Sequence, residues 1–213
     1  MYSLLRKGKI NVYCMTLGSM QTNTYLVYDE QKNCFISDPA SNIEEIAVKV
    51  TELGLKVQGV LLTHGHFDHI GAADDVRKKY DVKIYGMEAE REVFESSDNN
   101  LSSLFGQPFT VRVDEFLKDG QNINVAGFDI HIIHTPGHTK GGCCYLVSKE
   151  NEKILISGDT MFCGTYGRYD FPTGNYRELI SSIKDKLLTL DENISVYPGH
   201  NEETTIGDEK VVY

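Results

Sequence analysis

Leu61-Leu62-Thr63-His64-Gly65-His66-Phe67-Asp68-His69 ends a short apolar run and delivers three histidines and an aspartate within six residues. While the chain stays extended, His64, His66 and Asp68 alternate onto one side, and His69 follows where a helical pattern begins. Neutral imidazole and carboxylate suit zinc, manganese or iron, whereas calcium asks for oxygen ligands alone. Read blandly, Asp68 caps the helix that starts at His69 and a lone histidine packs in a core. Four ligand-type side chains at this spacing make a metal loop the stronger reading.

Outward from the loop, residues 57–62 form a continuous apolar run with one glycine, as expected of a strand buried on both faces, so the loop sits at a strand's carboxyl end. Upstream, residues 10–40 read as three meandering strands with turns at Gly18-Ser19 and Asp29-Glu30, ending at Asp38-Pro39. Ser41 or Asn42 should cap a helix with the stripe Ile43, Ile46, Ala47, Val50 and Leu53, closed by Gly54. Downstream, a helix over 70–80, a strand over 82–85 and a helix over 88–94 continue an α/β alternation. The Ser- and Asn-rich stretch 96–107 is a loop carrying Leu101, Leu104 and Phe105. Strands follow near 111–116, 123–125, 128–133, 143–147 and 153–157, then an amphipathic helix over 175–190 and a last strand at 194–197. No low-complexity or Pro/Ser-rich linker divides the chain, which predicts one domain over residues 1–213.

Lys and Arg number 21 against 31 Asp and Glu, a net charge of −10, and no lysine- or arginine-rich run that would build a basic groove is present, so phosphate backbones and anionic lipid surfaces are repelled. A small-molecule substrate is expected, without nucleic acid or membrane. The five cysteines, Cys14, Cys34, Cys143, Cys144 and Cys163, show no C-x-x-C and follow no secretory pattern, and they read as reduced thiols of a cytoplasmic protein.

Three further stretches place a ligand-type residue beside glycine after an apolar strand: His134-Thr135-Pro136-Gly137-His138, Ile156-Ser157-Gly158-Asp159 and Val196-Tyr197-Pro198-Gly199-His200. Together with the first loop they offer His64, His66, Asp68, His69, His138, Asp159 and His200. Seven ligands exceed one zinc ion, which takes about three protein ligands and a water, so two metals fit better and the isolated Asp159 suits a bridge. As plain turn or strand-end residues, His138, His200 and Asp159 would be unremarkable one by one. His134 and His138 are separated by Pro136-Gly137 and cannot share a helix face, so His134 reads as packing or outer support. His131 alternates with Ile130 and Ile132 and should face solvent, and Cys163 reads as a packed thiol.

These motifs, T-H-x-H-x-D-H at Thr63 to His69, T-P-G-H-T at Thr135 to Thr139, G-D-T at Gly158 to Thr160 and P-G-H at Pro198 to His200, resemble the metallo-β-lactamase superfamily and within it the short glyoxalase II-like hydrolases. The resemblance implies an αββα sandwich of α/β (α+β) class, with His64, His66 and His138 on one metal, Asp68, His69 and His200 on the other, and Asp159 bridging. It also implies two divalent ions, zinc foremost with iron or manganese as alternatives, and hydrolysis of a small acyl thioester by a bridging hydroxide, with Asp68 as the catalytic carboxylate. Full-length glyoxalase II has a lysine where Arg168 stands and glutathione-binding tyrosines where Asp170 and Glu202 stand, so the resemblance does not extend to glutathione as the thiol, and the KM for a glutathione thioester is expected to be high. Arg168 is expected to pair with Asp170 on the site wall and to meet the substrate, while Asn201-Glu202-Glu203 reads as solvated surface. The rival readings are a persulfide dioxygenase-type iron oxidoreductase, a lactone hydrolase, a nuclease disfavoured by charge, and a non-catalytic scaffold, which should have lost ligands.

Overall fold

Period-two alternation of apolar side chains resolves into two sheets in the computed structural model, which describes residues 2–213. The first holds β1 (Tyr2–Arg6), β2 (Asn11–Leu17), β3 (Thr22–Tyr28), β4 (Asn33–Ser37), β5 (Lys56–Leu62), β6 (Ile84–Met87) and β7 (Glu115–Leu117) in chain order. It is antiparallel from β1 to β4 and parallel from β4 to β7. After β8 (Asn122–Val125), β9 (Phe128–His134), β10 (Cys143–Lys149) and β11 (Glu152–Gly158) comes a separate hairpin, β12 (Met161–Phe162) and β13 (Thr165–Tyr166). With β14 (Ser195–Pro198) and β15 (Thr204–Thr205), the second sheet runs β15-β14-β11-β10-β9-β8.

Val12, Val27, Phe35 and Leu61 of the first sheet meet Phe128, Ile130, Tyr145 and Ile156 of the second in one core between the sheets. Phe35 and Phe128 pack edge to face with ring centroids 5.6 Å apart, a geometry worth about 0.5–1.5 kcal/mol beyond the area it buries. The intervening residues point outward. Leu26, Ile36, Val60 and Leu62 pack under α1 (Ile43–Leu53) and α3 (Ala73–Tyr80), which follows the single turn α2 (Phe67–Ile70). Cys144, Leu155 and Val196 pack under the helical stretch that begins with α5 (Tyr176–Ser181) and under α6 (Ile206–Val212); the short α4 (Arg91–Phe94) lies between β6 and β7. The layers are therefore α, β, β, α, as expected. No helix among the described residues is long and apolar enough to cross a membrane.

The expected helix over 70–80 is broken, because a Cβ at Gly71 would lie 2.2 Å from the Ala40 carbonyl oxygen and the Ala72 N–H bonds Pro39 O at 2.9 Å instead of continuing the helix. The 175–190 helix changes pitch, with α5 followed by a widened turn, Ser182–Lys186, and a tight one, Leu187–Thr189. For α1, Asn42 rather than Ser41 is the cap, accepting from Glu45 N at 3.4 Å. The strand placed at 82–85 lies at β6, two residues later, and the one at 111–116 shrinks to β7.

Hydrogen bonds join the sheets at their upper edges. Tyr25 Oη donates to Pro198 O (2.7 Å), Tyr145 Oη to Leu62 O (2.6 Å), Cys143 N to Thr63 O (2.9 Å) and Asn23 N to Gly199 O (2.7 Å). Each acceptor lies in or next to a histidine-bearing loop, so the contacts that close the sandwich also fix those loops.

Candidate metal centre

The carboxyl end of β5 leads into His64 and His66, and α2 carries Asp68 and His69. The turn after β9 presents His138, the end of β11 Asp159 and the end of β14 His200. All seven sequence candidates converge. Ligand atoms lie within 4.8 Å of one another in the sets His64/His66/His138, His64/His69/Asp159 and Asp68/His69/His200. Asp159 touches both halves: Oδ2 is 3.5 Å from His138 Nε2 and 3.5 Å from His200 Nε2, and Oδ1 is 3.3 Å from His69 Nε2.

Which ring nitrogen faces the cavity follows from the partners of the other. Asp38 accepts from Thr63 N at 2.8 Å, Thr63 Oγ1 at 2.7 Å and His69 Nδ1 at 3.0 Å. With its proton committed to Asp38, the Thr63 hydroxyl accepts from His64 Nδ1 at 3.1 Å. His138 Nδ1 donates to Arg168 O at 2.6 Å. These bonds turn Nε2 of His64, His69 and His138 inward. His66 Nδ1 and His138 Nε2 meet 2.9 Å apart. The Nε2 atoms of His64, His66 and His69 and Asp159 Oδ1 are buried with no hydrogen-bond partner among the described residues. Leaving a buried polar atom unpaired costs about 1–3 kcal/mol, so a donor set this starved fits cations.

The two halves differ in charge. Burial drives the His64 imidazole well below its ordinary range, His66 down to about 3 and His138 down as well, so all three are neutral ligands at pH 7. Burial also opposes charge on His69 and His200, but Asp159 and Asp68 outweigh it, holding His69 well above the imidazole range and His200 up to about 9. In return, and against burial, His69 brings Asp68 down to about 2, while His69 and His200 hold Asp159 well below the carboxylate range. Thr22 Oγ1 donates to Asp68 Oδ2 at 2.7 Å and fixes that carboxylate.

Asp38 and Glu90 were not picked out from sequence. Asp38 looks like a turn residue before Pro39, and Glu90 sits in the surface-like run Glu88-Ala89-Glu90-Arg91-Glu92. Yet Glu90 is fully buried, and its two oxygens accept from Gly65 N at 2.9 Å and Gly141 N at 2.8 Å. It thereby ties the His64/His66 loop to the His138 loop, and burial pushes its carboxyl up to about 7. Gly141 is required there, since a Cβ would lie 2.1 Å from Glu90 N.

The remaining expectations fall around this centre. His134 stays outside the cluster and braces the His138 loop through Nε2 to Lys140 O at 3.0 Å. His131 is half-buried and bonds Asn122 Oδ1 at 2.9 Å, and Cys163 is half-buried between β12 and β13. Arg168 makes a two-pronged pair with Asp170, at 2.9 and 2.8 Å, and lies over the Phe171 ring at 4.1 Å. Above the ligands opens a cavity of about 240 Å³ whose wall includes Phe67, Leu101, Phe105, Phe162, Arg168 and Phe171. Phe67 and Phe105 stack at 4.5 Å, so the 96–107 loop brings an aromatic side chain to the rim.

Comparison with known proteins agrees with this geometry. The metallo-beta-lactamase superfamily profile matches residues 17–200. The chain is 38% identical over 208 residues to hydroxyacylglutathione hydrolase GloC of Haemophilus influenzae, covering 94% of this chain and 95% of that protein. The crystal structure of BLEG-1 B3 metallo-beta-lactamase is similar with a TM-score of 0.88 and 37% identity, over 93% of this chain and 95% of the other. TTHA1623 in a di-iron-bound form aligns with a TM-score of 0.79 and 30% identity, over 92% and 96%.

Proposed function

The chain belongs to the metallo-beta-lactamase superfamily of metal-dependent hydrolases, and on that premise we propose that it hydrolyses a small acyl thioester at a binuclear centre, residues 1–213 acting as one domain in the cytoplasm. The observation that carries this reading is the convergence of seven ligand-type side chains, with the Nε2 atoms of His64, His66 and His69 and Asp159 Oδ1 buried and without a hydrogen-bond partner among the described residues. His64, His66 and His138 would hold one ion, Asp68, His69 and His200 the second, and Asp159 both. Zinc suits these donors best, with iron and manganese next. Bound divalent ions would supply a water whose pKa is lowered to ~7 and a Lewis acid for the substrate carbonyl.

The protein's own residues do the rest. Asp68, ionised and fixed by Thr22, orients the attacking water and takes its proton. The water oxygen bonds the acyl carbon as the C–S bond breaks, the thiolate leaves with the electron pair, and the water's two protons end on the thiol and in solvent. Thiols ionise readily, so no strong general acid is needed. The aromatic rim formed by Phe67, Phe105 and Phe171 excludes water from the acyl group. Arg168 contacts the substrate as part of this wall, its charge already matched by Asp170.

Similarity to a class B3 metallo-beta-lactamase favours β-lactam cleavage as a second reading; an amide nitrogen is a poorer leaving group than a thiolate and would depend on return of the proton that Asp68 takes from the water. Metal-replete protein should be assayed against thioesters, lactones and a β-lactam, with oxygen uptake on a persulfide. Thioester turnover that a chelator abolishes and zinc, iron or manganese restores is expected. Inert thioesters alongside lactone opening, β-lactam cleavage or oxygen consumption would overturn the reading.

A further inference from the structure

A second and larger cavity, about 420 Å³, adjoins the metal cavity and shares Met20 and His200 with it. It opens beside the Asp68/His69/His200 set, between β2, β3 and the loop after β14. Neither lysine nor arginine lines it. Glu202 and Glu203 do, both exposed and in no ion pair among the described residues, together with the uncharged Ser3, Thr16 and Gln21. The only arginine or lysine lining the metal cavity, Arg168, is matched by Asp170. Across the two adjoining cavities, therefore, the side-chain charge of the described residues that is free to meet a ligand beyond the metal-ligand set is negative, in a protein of net charge −10.

The loop bearing the two glutamates is held firmly. Asn23 Nδ2 donates to Pro198 O at 3.1 Å and to Asn201 O at 2.8 Å, and Asn201 sits at φ 65, a left-handed conformation that asparagine tolerates better than most residues. The one thiol on the wall, Cys14, is buried and its pKa is pushed up to about 11 by that burial, so it is no nucleophile toward a bound thiol or thioester.

Resting on the thioesterase reading, we propose that this cavity receives the leaving-thiol half of the substrate and that the thiol is cationic, bearing an ammonium group that Glu202 and Glu203 meet. A thiol whose carboxylates outnumber its ammonium groups, such as a glutathione-type tripeptide, would face two unmatched glutamates with no unmatched lysine or arginine among the described residues of the two walls, and is disfavoured.

The test compares three 2-hydroxyacyl thioesters of similar size, made with thiocholine (cationic, and unable to pass its acyl group from sulfur to nitrogen), 3,3-dimethylbutanethiol (its neutral counterpart) and 3-mercaptopropionate (anionic), each followed by thiol release. The kcat/KM should fall in that order. The cation-to-anion ratio should be on the order of tenfold, since each exposed charge contact contributes only modestly and salt screens it, and should shrink in high salt. In the Glu202→Gln/Glu203→Gln double variant that ratio should collapse toward one, whereas a merely structural loss would lower all three substrates together and leave the ratio intact. Equal rates on all three in the wild type, preference for the anion, or an unchanged ratio in the variant would overturn the assignment while leaving the thioesterase reading standing. Failure to hydrolyse any of the three by metal-replete protein would overturn both.

Discussion

The three-histidine set and the carboxylate-bearing set share one cavity but are prepared for metal in opposite ways. His64, His66 and His138 are buried and already neutral, and His64 and His138 have Nδ1 committed to a protein acceptor. Asp68, His69 and His200 are locked in ion pairs with one another and with Asp159, and His200 is the most open of the seven. An ion entering the first set displaces no proton; one entering the second must displace those on His69 and His200. The first set is thus preorganised, whereas the second is coupled to pH.

The largest effect expected from this contrast is on activity. His64→Ala or His138→Ala should lower kcat/KM by roughly a thousandfold or more, because the set that costs least to fill is lost. Asp68→Asn should lower kcat by about 10²- to 10³-fold while changing metal content less, and equal losses of the two would reduce Asp68 to a ligand only.

Next in size are the supports. Glu90→Gln places an amide N–H₂ against one of two backbone N–H donors and should weaken the three-histidine set by roughly 10- to 100-fold in metal affinity. Asp38→Asn should weaken both sets, one through His69 and the other through Thr63 and His64. A metal titration in which Glu90→Gln weakens the two sets equally would show that its support is not confined to the three-histidine set.

The pH dependence is a gentler probe. His200, raised to about 9, keeps its proton in the metal-free protein across neutral pH. Second-ion affinity should therefore rise by about tenfold per pH unit for each proton displaced, from pH ~6.5 to ~9, while first-ion affinity stays flat. The same shift makes His200 stabilise the metal-free fold fully below its ordinary pKa, a contribution lost as pH rises through about 9, so the thermal midpoint without metal should fall over that interval. The smallest change is expected from Arg168→Ala, a few-fold in KM, since its pair with Asp170 is exposed.

The two sets were not equally legible in the sequence. The ligands themselves stand out because each follows an apolar strand beside glycine, and the short apolar runs at β3, β5, β9, β10 and β11 reveal the strands of both sheets. What holds the ligands is harder to read, because Asp38 and Glu90 act on backbone N–H groups and ring nitrogens brought from elsewhere in the chain, which leaves no local pattern. β1 escaped notice because it is a half-exposed edge strand. α6 escaped for a related reason: its Glu209 looks like surface yet is buried, bonding Gly164 N at 3.1 Å and Thr204 Oγ1 at 2.7 Å.

Metal content per chain tests the central claim most directly. Saturated wild-type protein should hold about two transition metals, and His69→Ala and His200→Ala about one, retained by His64, His66 and His138. A single ion at saturation in the wild type, unchanged in both variants, would contradict a binuclear centre.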